Sequence, residues 1–100
     1  MFLGRWDAKI DPKWRLCIPA VINKQFGKSV LLKEGKDGCI LLQKQDISKV
    51  KDFSYVFVEK IRNGGRIMIP NPLRSSVSFY YGRNVTIAGE GDHLKIMPRP

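Results

Sequence analysis

The sequence predicts a mainly β chain with short helices, built as two tandem copies of one unit that share a single core. Lys9-Ile10-Asp11-Pro12-Lys13-Trp14-Arg15-Leu16-Cys17-Ile18-Pro19 returns as Lys60-Ile61-Arg62-Asn63-Gly64-Gly65-Arg66-Ile67-Met68-Ile69-Pro70, 51 positions on. Upstream, Phe2, Trp6 and Ile10 align at the same offset with Phe53, Phe57 and Ile61, all on one side of a period-two alternation. Downstream, Gly27-Lys28-Ser29-Val30 aligns with Gly82-Arg83-Asn84-Val85, and Asp37 with Asp92, at an offset of 55. The second unit has therefore gained four residues, about one turn of α-helix, and the segment after the prolines is where a helix can lengthen without moving strands. Units this small cannot bury an apolar face alone, so they must pack on each other. The expected organisation is one domain over residues 1–100, with repeat one at 1–44, a linker at 45–52 and repeat two at 53–98.

The elements follow in order. Residues 2–10 alternate, with Phe2, Gly4, Trp6, Ala8 and Ile10 on one side, and predict a half-buried strand. Pro12 fixes its own φ and removes a ladder donor, so 11–14 is a turn. Arg15 to Ile18 is a second short strand. Pro19 opens a helix in which Ile22 and Phe26 stack at i and i+4 and which Gly27 ends. In the second unit Asn71 is the expected N-cap, Pro72 the first helical residue, and Leu73, Val77 and Tyr80 or Tyr81 the apolar stripe. Each helix leads into a hairpin. Its inward set reads as Val30, Leu32, Cys39 and Leu41 in one unit and Val85, Ile87, Leu94 and Ile96 in the other. That phase sends Leu31, Ile40 and Leu42 outward, as an apolar strip that predicts contact with another subunit of a homo-oligomer or, equally, cover by the other repeat or the linker. The linker holds enough for one to two helical turns capped by Asp46.

Charge narrows the function. The net charge of +9 and a pI near 9.9 point to a polyanionic partner, because clustered Lys and Arg release condensed counterions when they neutralise phosphates. The excess is divided evenly: residues 1–50 carry 10 basic and 5 acidic side chains, and residues 51–100 carry 8 and 4. It belongs to the repeats and not to a tail. No apolar run approaches a membrane span and the N-terminus lacks a signal-peptide pattern, so a cytoplasmic, nucleoid-associated protein is expected. Cys17 and Cys39 lie singly in strand-like runs, which predicts buried free thiols in place of a zinc site or disulfide. Catalysis is not expected. His93 follows Asp92 directly, neighbours on a strand point to opposite faces, and no nucleophile set, phosphate-cradling loop, metal-ligand spacing or cofactor motif accompanies them.

A strand entering a D-x-K-G-R-like turn, then an apolar run ending in Ile-Pro before a short helix, then a hairpin turn containing Asp-Gly, resembles the MraZ and AbrB-like (SpoVT/AbrB) family. Nearly all of residues 1–98 take part, and the doubling within one chain is similar to MraZ in particular. The resemblance implies a swapped-hairpin β-barrel whose arginine-bearing turns lie on one face and contact DNA, in an oligomeric transcriptional regulator. By position it implies a first turn of Lys9, Asp11, Lys13 and Arg15 and a second of Lys60, Arg62, Asn63 and Arg66. Three departures stand out. Trp14 occupies the place of a glycine, Arg62 that of an acidic residue, and the connection between repeats is reduced to 45–52.

The chemistry of these residues fits double-stranded DNA. A guanidinium can donate two hydrogen bonds to guanine O6 and N7, so Arg15 and Arg66 are the candidate base readers, while an alternative structural role pairs them with Asp11 or Glu59. Lys9, Lys13, Lys60 and Arg62 suit phosphates, which position without specifying sequence. Asn63 can read adenine or simply form the Asn-Gly turn. Asp11 is expected to orient its loop, and Arg74 and Lys24 lie near the helices as outer cations. The rival readings are an antitoxin-like DNA binder of the AbrB type and a scaffold protein that has kept the barrel and lost DNA.

Overall fold

The computed structural model describes residues 1–44, 56–76 and 83–99. The expected linker helix, Phe53 and the stripe residues Val77, Tyr80 and Tyr81 lie outside that range. In chain order the elements are β1 (Arg5–Lys9), β2 (Arg15–Cys17), α1 (Ala20–Asn23), β3 (Ser29–Glu34), a 3₁₀ turn at Lys36–Gly38, β4 (Ile40–Lys44), β5 (Val56–Lys60), β6 (Arg66–Met68), α2 (Asn71–Ser76), β7 (Asn84–Gly89) and β8 (His93–Pro98). Two sheets form. Six strands run in the order β1-β7-β8-β4-β3-β5, and β2 pairs with β6 as a separate two-stranded ribbon.

The order records an exchange between the repeats. β1 of the first pairs with β7 of the second, Trp6 opposite Ile87, and β5 of the second pairs with β3 of the first, Phe57 opposite Leu32. The swap is therefore made within one chain. Two pairings join equivalent strands of the two repeats: Leu41 stands opposite Lys95 between β4 and β8, and Leu16 opposite Ile67 between β2 and β6. Both fit one pseudo-twofold axis. The large sheet stays open, with β1 and β5 as its edges, and the barrel-like form is completed by packing, β2 lying beside β1 and β6 beside β5.

One core fills the space between ribbon and sheet. Leu16, Ile18, Ile67 and Ile69 enter it from the ribbon and the chain just beyond, and Val30, Leu32, Ile40, Leu42, Val85, Ile87, Leu94 and Ile96 from the sheet. Ile22 and Leu73 contribute from the helices, and Phe26 stacks on Phe2 with ring centroids 4.7 Å apart. Among the described residues no polar or charged side chain is buried. The first helix is shorter than its sequence signal, and the second begins one residue before the expected start. Pro19 sits just before α1 with ψ 141°, Phe26 lies beyond its end, and Asn71 is already helical in α2.

Four expectations change here. Ile40 and Leu42 are fully buried in the core, not on an outward strip. The cause is loop length: five residues separate Glu34 from Ile40, whereas four separate Gly89 from Leu94, and one extra residue exchanges the two faces of the strand that follows. Ile40 and Leu42 therefore correspond to Leu94 and Ile96, and Leu41 is only partly buried. Leu31 does face away from the core, beside Val58 on β5, but is only 4% exposed. Cys39 is buried as expected, while Cys17, on the outer side of the ribbon, is exposed. Finally, β1 begins at Arg5, because Gly4 takes φ +103° and Phe2 joins the sheet only through a single bridge to Gly91.

Burial makes the corrected phase testable. Leu42→Ala should cost about 2–5 kcal/mol in urea unfolding, because it opens a cavity in a closed core. Val58→Ala, at 49% exposure on an edge strand, should cost less than about 1 kcal/mol. Similar losses for the two would put Leu42 back on the surface.

Candidate nucleic-acid interface

The two basic turns share one pattern of backbone hydrogen bonds, although Gly64 adds a second left-handed residue that the first turn lacks. In the first, the Trp14 N–H donates to Asp11 O (2.9 Å) and the Asp11 N–H to Arg15 O (3.0 Å). In the second, the Gly65 N–H donates to Arg62 O (3.0 Å) and the Arg62 N–H to Arg66 O (2.8 Å). The third position of each is left-handed, Trp14 at φ +63° and Gly65 at φ +79°. Each left-handed residue then reaches across the pseudo-twofold: Trp14 O accepts from the Ile69 N–H and Gly65 O from the Ile18 N–H, both at 2.8 Å. Every turn is thus fastened to the strand end of the other repeat.

This fastening sets the display of the arginines. On the ribbon Arg15 stands opposite Met68 and Cys17 opposite Arg66, while Leu16 and Ile67 point into the core. Arg15 and Arg66 consequently share the outer face as diagonal neighbours, roughly 7–8 Å apart. Lys9, Lys13, Lys60, Arg62 and Asn63 are all exposed around them, so the structure places every predicted DNA-contact residue on these turns or at the strand ends that enter them. Leu31, Ile40 and Leu42 belong to the large sheet and are no part of this surface.

The two turns differ in chemistry. Asp11 accepts from the backbone N–H groups of Lys13 and Arg15 at Oδ1, both 2.9 Å, and from Arg15 Nε at Oδ2, 2.7 Å. Its carboxyl pKa is lowered, chiefly by the Arg15 backbone N–H, with the Arg15 side chain and the Lys13 N–H adding to the effect. Asp11 therefore holds Arg15, and the orienting role and the structural ion pair are one interaction. The pair is about one-third exposed on each side, at 35% and 33%. The second turn carries Arg62 at the equivalent place, which removes that carboxylate and adds a cation.

Trp14 brings in residues that the motif did not mark. A non-glycine residue in the left-handed region costs about 1–2 kcal/mol, and at Gly65 an added Cβ would lie 2.5 Å from Ile18 O and from Asn23 Nδ2. Trp14 occupies the matching place in the first turn, and its ring lies under two guanidinium groups, with Arg83 Cζ 4.1 Å and Arg74 Cζ 5.2 Å from the ring centroid. Arg83 Nη1 donates to Asp11 O (3.0 Å) and Arg74 Nε to Ile69 O (2.8 Å). Arg83 had no sequence signal beyond its alignment with the basic Lys28. A tryptophan in a glycine position, which needs cover, is the only pointer to such a partner.

The expected separation of His93 from Asp92 does not hold. His93 Nδ1 lies 2.7 Å from Asp92 Oδ1 and Nε2 lies 3.1 Å from Glu90 Oε1, because Asp92 belongs to the turn before β8 and escapes strand alternation. The His93 hydrogen bond lowers the Asp92 pKa. These residues sit on the β7–β8 hairpin, away from the arginine turns. Among the described residues no set of His, Cys, Asp or Glu could hold a metal ion.

Comparison with known proteins gives one consistent answer. No protein-family model matches the chain. It is 34% identical to the transcriptional regulator MraZ of Ligilactobacillus salivarius, 29% to that of Mycoplasmoides gallisepticum and 28% to that of Alkaliphilus metalliredigens, covering 96% of this chain and 80% of each relative. The matched stretch spans 116 positions although this chain has 100 residues, so the relatives carry insertions within it.

The Asp11 carboxylate makes the first turn sensitive to acid. A lowered native pKa means that its contribution to stability is present above the unfolded value of about 3.9 and is lost as pH falls through the lower native value. Wild type should exceed Asp11→Asn in urea unfolding at about pH 6, and the difference should shrink steadily as pH falls below the unfolded value. A difference that stays constant with pH would remove the charge from the explanation.

Proposed function

The chain belongs to the MraZ family, and from that premise we propose that it is a transcriptional regulator that binds double-stranded DNA sequence-specifically through the β2–β6 ribbon and its two turns. One observation supports the reading above the others: Arg15 and Arg66 stand on the same outward face of a two-stranded ribbon. A ribbon of this kind fits the major groove, and the spacing of about 7–8 Å between diagonal residues is close to two base-pair steps of about 3.4 Å. Arg15 and Arg66 then read guanine edges. Lys9, Lys13, Lys60 and Arg62 take phosphates on either side, and Asp11 fixes the angle of Arg15 while Asn63 shapes the second turn.

Such a protein binds and does not catalyse, and its place is the cytoplasm, at the nucleoid. Among the described residues no helix is long and apolar enough to cross a membrane. The oligomer contact moves with the corrected strand phase, from Ile40 and Leu42 to the outer face of the large sheet, where Leu31 lies beside Val58.

Selection from a random duplex pool at moderate salt, run beside Arg15→Ala/Arg66→Ala, tests the reading. Wild type should enrich a short box that the double variant fails to enrich, each bidentate contact being worth about 1–3 kcal/mol of discrimination. Equal retention of DNA by both proteins, or by neither, would make the arginines structural and leave the scaffold reading in their place.

A further inference from the structure

We infer that Trp14, Arg74 and Arg83 form a phosphate-binding clamp beside the first turn, one for which the second turn has no counterpart. The inference rests on the DNA-binding reading and adds to it two residues outside the repeated motif. Three observations carry it. Two guanidinium groups stack on one indole, at 4.1 and 5.2 Å from its centroid. Each is tethered to a neutral backbone carbonyl, Asp11 O for Arg83 and Ile69 O for Arg74, and among the described residues neither joins an ion pair. Carbonyl tethers fix the position of a guanidinium while leaving its full charge uncompensated. An anion would supply the missing countercharge, and phosphate matches the planar fork of arginine.

The backbone supports the same conclusion. Among the described residues Trp14 and Arg83 are the two non-glycine residues with positive φ, at +63° and +58°, and they stack on each other. Strained backbone of this kind persists only where its surroundings over-determine it, and it gathers at functional sites. At the second turn the corresponding residues are Gly65, Asn23 and Lys28. There the Asn23 amide lies against the place where a side chain on Gly65 would start, and no indole is present to gather cations.

The test measures binding of a mixed-sequence duplex against salt concentration, for wild type and for Arg74→Gln/Arg83→Gln. Each phosphate contact contributes about 0.9 to the slope of log K on log salt, so the double variant should lose about 1.8. A parallel measurement on unmodified protein uses a dicarbonyl reagent that modifies guanidinium groups, with the modified peptides read by mass. Arg74 and Arg83 should react in the free protein and be protected by duplex, a result that decides the matter even if the variant does not fold. An unchanged slope in a folded variant overturns the clamp and leaves the DNA reading intact, as does a failure of the reagent to reach either arginine or of DNA to protect them. A wild type with no salt-dependent binding overturns both.

Discussion

The arrangement of this molecule depends on two backbone hydrogen bonds that cross its pseudo-twofold axis, from Ile69 to Trp14 and from Ile18 to Gly65. Each requires a left-handed residue at the third position of a tight turn, since only that conformation aims the carbonyl at the other repeat. Once made, they place Leu16 opposite Ile67, bury Ile18 and Ile69, and leave the first and last residues of each ribbon strand facing water. Arg15 and Arg66 face out beside Met68 and Cys17. The core and the candidate interface are thus two sides of the same short ribbon, and neither can be rearranged alone.

The exchange of strands follows from the same fastening. With each turn tied to the opposite repeat, β1 and β5 leave their own hairpins and pair with those of the partner unit. Neither unit then holds a complete sheet by itself. The apolar faces of both hairpins meet through β4 and β8, where Ile40, Leu42, Leu94 and Ile96 form the middle of the core. A short connection of the two repeats is compatible with this arrangement because the exchange occurs within one chain.

Much of this was legible in the sequence, and the failures have identifiable causes. The repeat gave the number of units, and the period-two pattern marked the strands, because both depend on local spacing. The pairing partner of β1 was not legible, since any strand of the right pattern could take that edge. The faces of Ile40 and Leu42 were misread because an alignment anchored on Asp37 and Asp92 carried a single offset through a hairpin loop that is one residue longer in the first unit. Cys17 was misread because the three-residue β2 buries only its middle residue, Leu16. The basic turns themselves were found from charge and turn residues. The Arg83 contact was not, since it joins positions 72 residues apart and is created by the indole that replaces a glycine.

The two turns answer the same geometric demand in opposite ways. Gly65 meets the left-handed requirement without strain and leaves Arg66 in a turn that has no equivalent of Asp11. Trp14 meets it at a cost of about 1–2 kcal/mol, offset by stacking of the kind worth about 0.5–1 kcal/mol at exposed sites and more where water is excluded. The first turn is accordingly held at three points, by Asp11 on Arg15, by Arg83 on Asp11 O and by Arg74 over the Trp14 ring. A side chain held before its partner arrives loses less conformational entropy on binding than one that must be ordered by it. Gene duplication alone would give a surface with matching halves. Here Arg15 is held by a carboxylate and Arg66 has no equivalent of Asp11, so the ribbon presents two different arginines to whatever it binds.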